Sequence, residues 1–210
     1  MRLHRHHHHH NNSFEGRAAR WYDVMARRLV RPVYRRLAAD VAAAAPHGAA
    51  VLDVGTGPAV LLVELARLRP DLRLTGVDPS ADMVAAAERN LRRCAPDASA
   101  VVGDATHLPF PDGAFDLIVT SFSLHHWDDV PAAGAELARV LRPGGRVLVY
   151  DFRFAPFDEL TAATAGTSLA GGPEPERTRF RPGFPLPRAA VRLVLHDRRA
   201  PVPGRTGPAS

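Results

Sequence analysis

The chain has 210 residues, of which 46% are hydrophobic and 23% charged, and this composition favours one globular domain with a sizeable core. No apolar run approaches the ~20 residues of a membrane span, and the N-terminus lacks the apolar segment of a signal peptide, so we expect a cytoplasmic protein. The single cysteine, Cys94, excludes an intramolecular disulfide and a multi-cysteine metal site, and we expect no bound metal.

The positive charge is concentrated near the C-terminus. Residues 1–170 carry equal numbers of arginines and acids, whereas residues 171–210 hold 8 arginines and 3 acids and account for the net charge of +5. Such a segment could contact nucleic acid or anionic lipid, but it has no dense arginine run and few interleaved aromatic residues. We therefore predict a solvated basic section, with no nucleic-acid partner and no membrane span.

The first 48 residues precede the repeating pattern of the chain. Residues 1–16 hold a histidine-rich stretch, which we interpret as a flexible leader. Residues 17–48 predict two helical pieces separated at Pro32, because proline inside a helix breaks or kinks it. We expect these helices to form a lid or cap over the rest of the domain.

From residue 49 onward, short apolar runs alternate with amphipathic segments. The predicted strands span residues 49–55, 72–78, 99–104, 115–123 and 146–152. The predicted helices between them span residues 58–69, 80–94 and 129–145, the last ending at the stop signal Pro143-Gly144-Gly145. This alternation predicts an α/β fold: a Rossmann-like, doubly wound and mostly parallel sheet with helices on both faces, its core spanning residues 49–170.

The pattern weakens in the C-terminal section, residues 171–210. One last strand is predicted at 189–196, and the remainder is rich in turn-forming residues. We do not predict the hairpin of two further strands that would complete a sheet of this kind.

The turn after the first strand reads Gly55-Thr56-Gly57-Pro58-Ala59, at the sheet edge where doubly wound proteins bind ligands. Gly55 permits a tight turn, and Gly57 lets the backbone approach a ligand closely. Ala59 is small, which lets the helix and the strand pack closely. Position 60 is valine where the dinucleotide-binding fingerprint needs glycine, so a pyrophosphate cradle is disfavoured.

Three aspartates lie in or after neighbouring strands. Asp78 ends the second strand, where a carboxylate can accept hydrogen bonds from both ribose hydroxyls; alternatively, it is an acid at a helix N-terminus. Asp104 follows the third strand, where it can accept a hydrogen bond from an adenine amino group; alternatively, it is a turn aspartate. Asp53 lies inside the first strand, although a buried carboxylate is costly unless it is paired.

The segments VLDVGTG, GVDPSADMV, GDATHLPFPDGAFD, TSFSLHHW and LARVLRPGGRVLVYDF occur in this order over residues 49–152. In combination they resemble the class I S-adenosylmethionine-dependent methyltransferases, and most closely their type 11 branch, which includes the ubiquinone and menaquinone biosynthesis methyltransferases. The resemblance implies a seven-stranded sheet with one antiparallel strand and S-adenosylmethionine as the cofactor. It also implies methyl transfer to a small-molecule acceptor, at an oxygen, carbon or nitrogen atom.

The resemblance also assigns individual residues to the cofactor. The implied cofactor-binding residues are Asp53, Gly55, Thr56, Gly57, Asp78, Pro79, Met83, Asp104, Ala105 and Ser121. Asp53 would place the cofactor's ammonium, which gives a reason for a carboxylate inside a strand. Tyr22 is a further candidate, although an aromatic stripe on a packed helix explains it equally well.

His125 and His126 are the candidate general bases, because they follow the fourth strand near the place where the transferred methyl should emerge. His126 is slightly favoured; the alternative is an imidazole packed and hydrogen-bonded in the turn. A metal site is less attractive, since adjacent strand residues point to opposite faces. Phe152, Phe154 and Phe157 indicate an aromatic or apolar acceptor pocket, or else part of the core.

Three other functions compete with a small-molecule methyltransferase. A nucleic-acid amino-methyltransferase needs an Asn/Asp-Pro-Pro-aromatic motif after the fourth strand, and TSFSLHHW contains none. A nicotinamide oxidoreductase is disfavoured by Val60 and by the absence of lysine. A protein of this fold that binds the cofactor or a partner without turnover stays open, and only turnover of an acceptor separates it from an enzyme.

Overall fold

The computed structural model describes residues 30–95, 97–171, 176–181 and 190–199, so the histidine-rich leader and Tyr22 lie outside the described residues. The described α-helices are α1 (Arg31–Ala44), α2 (Val60–Leu68), α3 (Ala81–Cys94), α4 (Val130–Val140) and α5 (Phe157–Thr164). The strands are β1 (Ala50–Val54), β2 (Arg73–Asp78), β3 (Ser99–Val102), β4 (Phe115–Ser121), β5 (Leu141–Phe152), β6 (Glu176–Phe180) and β7 (Ala190–His196). Two 3₁₀ turns span Leu124–His126 and Ser168–Gly171.

The seven strands form one sheet in the order β3-β2-β1-β4-β5-β7-β6. Strands β1 to β5 pair in parallel, and β7 runs antiparallel to both of its neighbours. The predicted doubly wound, mostly parallel sheet with one antiparallel strand is therefore confirmed. The chain passes from β3 back across β1 to β4, so the carboxyl ends of β1, β2 and β4 surround the switch point where such sheets bind ligands.

Two apolar clusters cover the two faces of the sheet. One packs α1, α2 and α3 against the strands through buried leucines such as Leu37, Leu62 and Leu91. The other packs α4 and α5 through residues such as Leu137 and Leu160. Full burial of a leucine side chain stabilises a fold by roughly 2 kcal/mol, so these two clusters fix the helices to the sheet and hold the strand ends in place.

The C-terminal hairpin corrects a sequence prediction. The last strand is present as β7, but β6 pairs with it along its whole length, from Glu176 opposite Val194 to Phe180 opposite Ala190. We did not predict β6 because its residues, Glu-Arg-Thr-Arg-Phe, are exposed along a sheet edge and show no alternation of apolar and polar residues.

The boundary between α4 and β5 also differs from the prediction. The helix ends at Val140, and β5 already begins at Leu141, which lies opposite Phe115. The next pair is Leu117 with Arg146, so residues 142–145 form an irregularity in the strand and not a separate turn after the helix. The irregularity fits a positive φ at Gly144 and the ion pair of Arg142 with Asp116.

Helix α1 is attached to strands β5 and β7 of the sheet. It begins at Arg31, and Pro32 lies in its first turn, where proline is tolerated because the missing N–H has no intrahelical partner. Asp40 accepts a hydrogen bond of 2.5 Å from the Tyr150 hydroxyl and forms an ion pair of 2.9 Å with Arg192. The role of residues 17–48 as a lid or cap stays a prediction. None of the described helices is long and apolar enough to span a membrane.

Candidate functional site

The glycine turn between β1 and α2 is folded against both neighbouring strands. The N–H groups of Gly55 and Thr56 donate to the Val77 carbonyl, which fastens the turn to the end of β2. Gly55 has a φ of +73°, and a Cβ there would lie 2.0 Å from the Ser123 hydroxyl oxygen. Gly57 also has a positive φ, of 52°. Glycine is therefore required at Gly55 for two reasons, the backbone conformation and the close approach of Ser123.

Ala59 departs from the sequence interpretation. We explained alanine there by small size alone, and the residue is indeed fully buried. However, Ala59 has a φ of 59° and a ψ of 34°, a left-handed conformation that costs a non-glycine residue roughly 1–2 kcal/mol. Position 59 therefore requires a small side chain and a left-handed backbone conformation. Alanine is small enough, but it adopts this conformation only with strain.

Asp78 is held at the carboxyl end of β2, where its side chain is 8% exposed. One carboxylate oxygen accepts from the Gly57 N–H at 2.8 Å, and the other accepts from the Ser80 N–H at 3.0 Å. Burial raises the pKa of Asp78, against the opposing effect of these two backbone donors. The bond to Ser80 matches the alternative of an acid at a helix N-terminus, while the bond to Gly57 joins Asp78 to the glycine turn.

Asp53 is the most deeply buried acid of the turn region, at 1% exposure. Its Oδ2 accepts a hydrogen bond of 2.8 Å from the Thr56 hydroxyl, whereas its Oδ1 is buried with no hydrogen-bond partner. Burial raises the pKa of Asp53 to about 7, opposed by the Thr56 hydrogen bond and reinforced by the negative charge of Asp78. A buried oxygen without a donor makes this carboxylate ready to accept a donor from a ligand.

The other predicted cofactor residues surround the same sheet edge. Asp104 is exposed, and its Oδ1 accepts from the N–H and the hydroxyl of Thr106, the geometry of the turn-aspartate alternative. Met83 is buried and its N–H donates to the capping Ser80 hydroxyl. Ser121 is buried at the end of β4. Ala105 is half-buried in a loop, and Pro79 is exposed in a loop.

His125 makes two hydrogen bonds to Asp151. Its Nδ1 lies 2.8 Å from Asp151 Oδ1, and its backbone N–H donates to Asp151 Oδ2 at 3.1 Å. Asp151 is fully buried near the end of β5, and the Phe152 N–H also donates to it. An ionised carboxylate can only accept, so in a neutral ring the proton lies on Nδ1 and Nε2 carries the lone pair. Asp151 thereby fixes both the position and the tautomer of His125.

His126 lacks such a partner and lies on the exposed side of the same 3₁₀ turn. Its ring centroid is 3.9 Å from that of His125. Partial burial lowers the pKa of His126, and the neighbouring His125 lowers it further. The negative charge of Asp151 acts in the opposite direction and raises it. The two imidazoles are in contact, but only that of His125 is oriented by a carboxylate.

Aromatic rings extend from His125 along the carboxyl ends of β4 and β5. We call Tyr34, Phe122, Phe152 and Phe154 the aromatic wall. Phe152 lies 5.2 Å from Phe122 and 5.4 Å from Phe154 between ring centroids, and Phe122 lies 6.4 Å from Tyr34. Phe154 is 72% exposed, and its ring meets the His125 ring edge-on at 5.7 Å. The wall therefore presents apolar ring surface beside the His125 imidazole.

Phe122 has an unusual backbone conformation. Its φ is 54°, which is rare for a bulky residue, and its N–H donates to the Tyr150 carbonyl at 2.8 Å. Strained conformations of this kind cluster at functional sites, where the surrounding structure enforces them. Phe157, by contrast, is buried in the apolar cluster under α4 and α5, so the sequence alternative of a core residue is the correct one for it.

Comparison with known proteins indicates which class of protein this site belongs to. Residues 51–145 match the family model described as "Methyltransferase domain". They contain the glycine turn, Asp78 and His125, and the strand order of the sheet agrees with the resemblance drawn from the sequence. Residues 51–145 therefore correspond to a methyltransferase domain.

Two curated relatives match part of the chain. The demethylmenaquinone methyltransferase of Beutenbergia cavernae is 40% identical over 131 residues, which are 61% of this chain and 52% of that protein. The Thermus thermophilus demethylmenaquinone methyltransferase is 38% identical over 120 residues, 57% of this chain and 54% of that protein. The chain thus spans about half the length of the curated relatives it matches.

Solved structures share the fold of the methyltransferase domain at low identity. An S-adenosylmethionine-dependent methyltransferase from Aquifex aeolicus superimposes with a TM-score of 0.66 at 16% identity, over 85% of this chain and 96% of that one. Geranyl diphosphate C-methyltransferase from Streptomyces coelicolor superimposes with a TM-score of 0.62 at 16% identity, over 78% of this chain and 74% of that one. At these identities the likeness shows the fold alone.

The sequence analysis of the methyltransferase domain missed Asp151 and Phe122. A signal for Asp151 existed, since VYDF places an acid inside an apolar strand just as VLDV does at Asp53. No sequence signal indicated the left-handed φ of Phe122. Among the residues that the structure describes, there is no group of three or more histidines, cysteines or acids that could hold a metal ion.

Proposed function

We propose that this chain is an S-adenosylmethionine-dependent methyltransferase that acts on a small-molecule acceptor with an aromatic ring. The observation that carries the proposal is the pair of buried carboxylates, Asp53 and Asp78, which accept hydrogen bonds from adjacent residues of one glycine turn. Both side chains are almost inaccessible, and burial raises both pKa values, so each gains from a ligand that supplies hydrogen-bond donors or a positive charge.

The residues of the turn fit the cofactor's groups. Asp53 Oδ1 is buried without a donor and suits the cofactor's ammonium. Asp78 is a strand-end carboxylate that suits the two ribose hydroxyls. When bound, S-adenosylmethionine supplies an activated methyl group on a sulfonium, so the protein's task is alignment and electrostatics. The remaining proposed contacts are those named from the sequence: Gly55, Thr56, Gly57, Pro79, Met83, Asp104, Ala105, Ser121 and Tyr22.

His125 is the better candidate for a general base, although the sequence slightly favoured His126. Its Nδ1 is occupied by Asp151, which orients the ring and leaves the Nε2 lone pair to accept the acceptor's hydroxyl proton. The resulting imidazolium would be stabilised by the buried Asp151 carboxylate. In this proposal Asp151 is a positioning residue, because it acts on the acceptor only through His125.

The aromatic wall supports a planar, ring-containing acceptor. Its rings lie beside His125, where an acceptor stacked on Phe152 or Phe154 would bring a ring hydroxyl to the imidazole. The two relatives described above are demethylmenaquinone methyltransferases, and the quinol form of a demethylmenaquinone is a planar aromatic ring with hydroxyl groups, which has this shape and chemistry. We therefore propose a hydroxylated aromatic or quinol acceptor, methylated after loss of the hydroxyl proton.

Cofactor binding is tested by calorimetric titration with S-adenosylhomocysteine. We expect binding to the wild type, no binding of NADH, and a loss of about 100-fold in affinity in Asp78→Ala, because two charge-assisted hydrogen bonds to the ribose are removed. Asp158→Ala is the matched control, since Asp158 is an exposed acid on α5. A folded wild type that ignores the nucleoside would contradict the proposal.

Proton removal is tested with the reduced, quinol form of a demethylmenaquinone of short side chain as the acceptor, kept reduced under anaerobic conditions. We expect Asp151→Asn to lower kcat about 100-fold and to change its pH profile, while S-adenosylhomocysteine binding is unchanged. His126→Ala is the control and should retain most of the wild-type kcat. A protein that binds S-adenosylhomocysteine but turns over none of a panel of hydroxylated aromatic acceptors would instead be a non-catalytic member of the fold.

A further inference from the structure

A cavity lies in the layer formed by helices α1, α2 and α3. Its volume is about 140 Å³, and it lies between the first turn of α1, one face of α2 and the last turns of α3. Val60, Glu64 and Arg67 line it from α2, and Arg93 and Cys94 line it from α3. None of these residues is among the proposed cofactor contacts, so the cavity is a separate feature of the molecule.

The cavity carries an excess of positive charge. Glu64 is its single lining acid, and this buried carboxylate is contacted by Arg31 Nε at 2.6 Å, Arg67 Nη1 at 2.6 Å and Arg35 Nε at 3.3 Å. Arg31, Arg67 and Arg93 are the three arginines of the lining, so one negative charge lies beside three positive ones. Glu64 balances one of these charges, and the remaining positive charge favours a second anion in the cavity.

We propose that this cavity binds a small oxyanion of the phosphate type. Guanidinium groups present forks of N–H donors that match phosphate oxygens, and Glu64 occupies only part of the donors of Arg31 and Arg67. The size agrees, because a volume of about 140 Å³ holds roughly four or five water-sized groups, whereas pockets for larger organic ligands measure ~300 Å³ or more. The ligand is either free phosphate or the phosphate end of a larger metabolite.

Binding is measured by calorimetry with inorganic phosphate, at constant ionic strength kept with sodium acetate. We expect one phosphate per chain, with a dissociation constant in the millimolar range or below. Arg93→Gln should weaken binding about tenfold through the loss of one charge-assisted contact. Arg92→Gln is the matched control: Arg92 is the neighbouring arginine on α3, pairs with Glu88 outside the cavity, and should leave the affinity within about twofold.

A second variant tests the electrostatic argument in the opposite direction. Glu64→Gln removes the competing carboxylate and should tighten phosphate binding, since three guanidinium groups lose their internal anion. Arg93 is exposed, so its variant should fold even where Glu64→Gln does not. Glycerol 3-phosphate distinguishes the two sources, because tighter binding than inorganic phosphate indicates a phosphorylated metabolite and equal binding indicates the free ion.

Two results would overturn the proposal. One is the absence of binding heat with wild-type protein at about 20 mM phosphate, well above the expected dissociation constant. The other is an equal loss of affinity in Arg93→Gln and Arg92→Gln, which would mean attraction to the general charge of the helices and not to the cavity. Cofactor binding does not enter either result, so failure here leaves the methyltransferase proposal intact.

Discussion

Replacing Asp53 by asparagine removes the ionisable group of the most deeply buried acid in the glycine turn. The amide has nearly the same shape, and its oxygen can still accept the hydrogen bond from the Thr56 hydroxyl. It cannot titrate. The pH dependence of unfolding therefore separates the contribution of the Asp53 charge from that of its packing and its hydrogen bond.

The magnitude follows from the pKa of about 7 for Asp53, set mainly by burial, against an ordinary value of 3.8. Between these two values the folded protein keeps a proton that the unfolded chain releases, so the free energy of unfolding falls as the pH rises. The full difference corresponds to about 4 kcal/mol, of which about 3 kcal/mol is lost between pH 5 and pH 8.

Urea unfolding of wild type and Asp53→Asn at several pH values between 5 and 8 measures this difference. We expect the wild type to lose about 3 kcal/mol relative to the variant over that range. A constant offset between the two proteins carries no information, because the new NH₂ group costs the same at each pH. Parallel stability profiles would refute the assignment of a raised pKa to Asp53.

The same carboxyl group reports on the ligand. If the cofactor's ammonium lies beside Asp53, S-adenosylhomocysteine should displace the proton from the Asp53 carboxyl when it binds near pH 6. Titrations in buffers of different ionisation enthalpy count that proton, and Asp53→Asn should release none. Methylthioadenosine has the same nucleoside but no amino acid part, so it should bind without proton release. Equal proton release by both nucleosides would place the ammonium elsewhere.

Two further predictions concern stability in urea. Gly55→Ala should lower the free energy of unfolding by about 2 kcal/mol or more, because the new Cβ would collide with Ser123 in addition to the left-handed strain. Gly48 has a φ of +66° but open space around it, so Gly48→Ala should lower the free energy of unfolding by only about 1 kcal/mol. Equal losses in the two variants would mean that Ser123 moves aside. Arg199→Gln should cost about 2 kcal/mol by leaving the buried Asp197 carboxylate without its guanidinium. Burial raises the pKa of Asp197, but Arg199 and the other donors lower it overall. The loss should therefore be present at neutral pH, begin to fade below the ordinary carboxyl pKa of 3.8, and vanish once the pH falls below the lowered pKa of folded Asp197; an undiminished loss at still lower pH would contradict this.

The centre of the sheet was predictable because β1 and β4 are buried along almost their whole length. Continuous apolar runs separated by amphipathic helices specify β1 to β5 and their parallel arrangement. Strand β6 lies at the sheet edge with Arg177 and Arg179 exposed, so its pairing depends on β7 and not on a local pattern of its own residues. The left-handed φ of Ala59 was equally hidden, since alanine gives no indication of the conformation it is forced to adopt.

The glycine turn and the histidine pair of the candidate site also differ in how well the sequence predicts them. The glycine turn and Asp78 belong to a short local motif, and their hydrogen bond is the one that strand ends and turns of this kind favour. The choice between His125 and His126 depends on Asp151, which lies 26 residues further along the chain and reaches the histidine only through the pairing of β4 with β5. Adjacent histidines look alike in sequence until a distant partner distinguishes them.

The aromatic wall divides into positions that can be redesigned and positions that cannot. Phe122 is held by an enforced backbone conformation, and Phe152 lies at the end of a central strand. Phe154 projects beyond the sheet with most of its ring in solvent. Libraries that aim to change the acceptor range should therefore vary residue 154 first, where a new side chain alters the mouth of the site without disturbing the sheet.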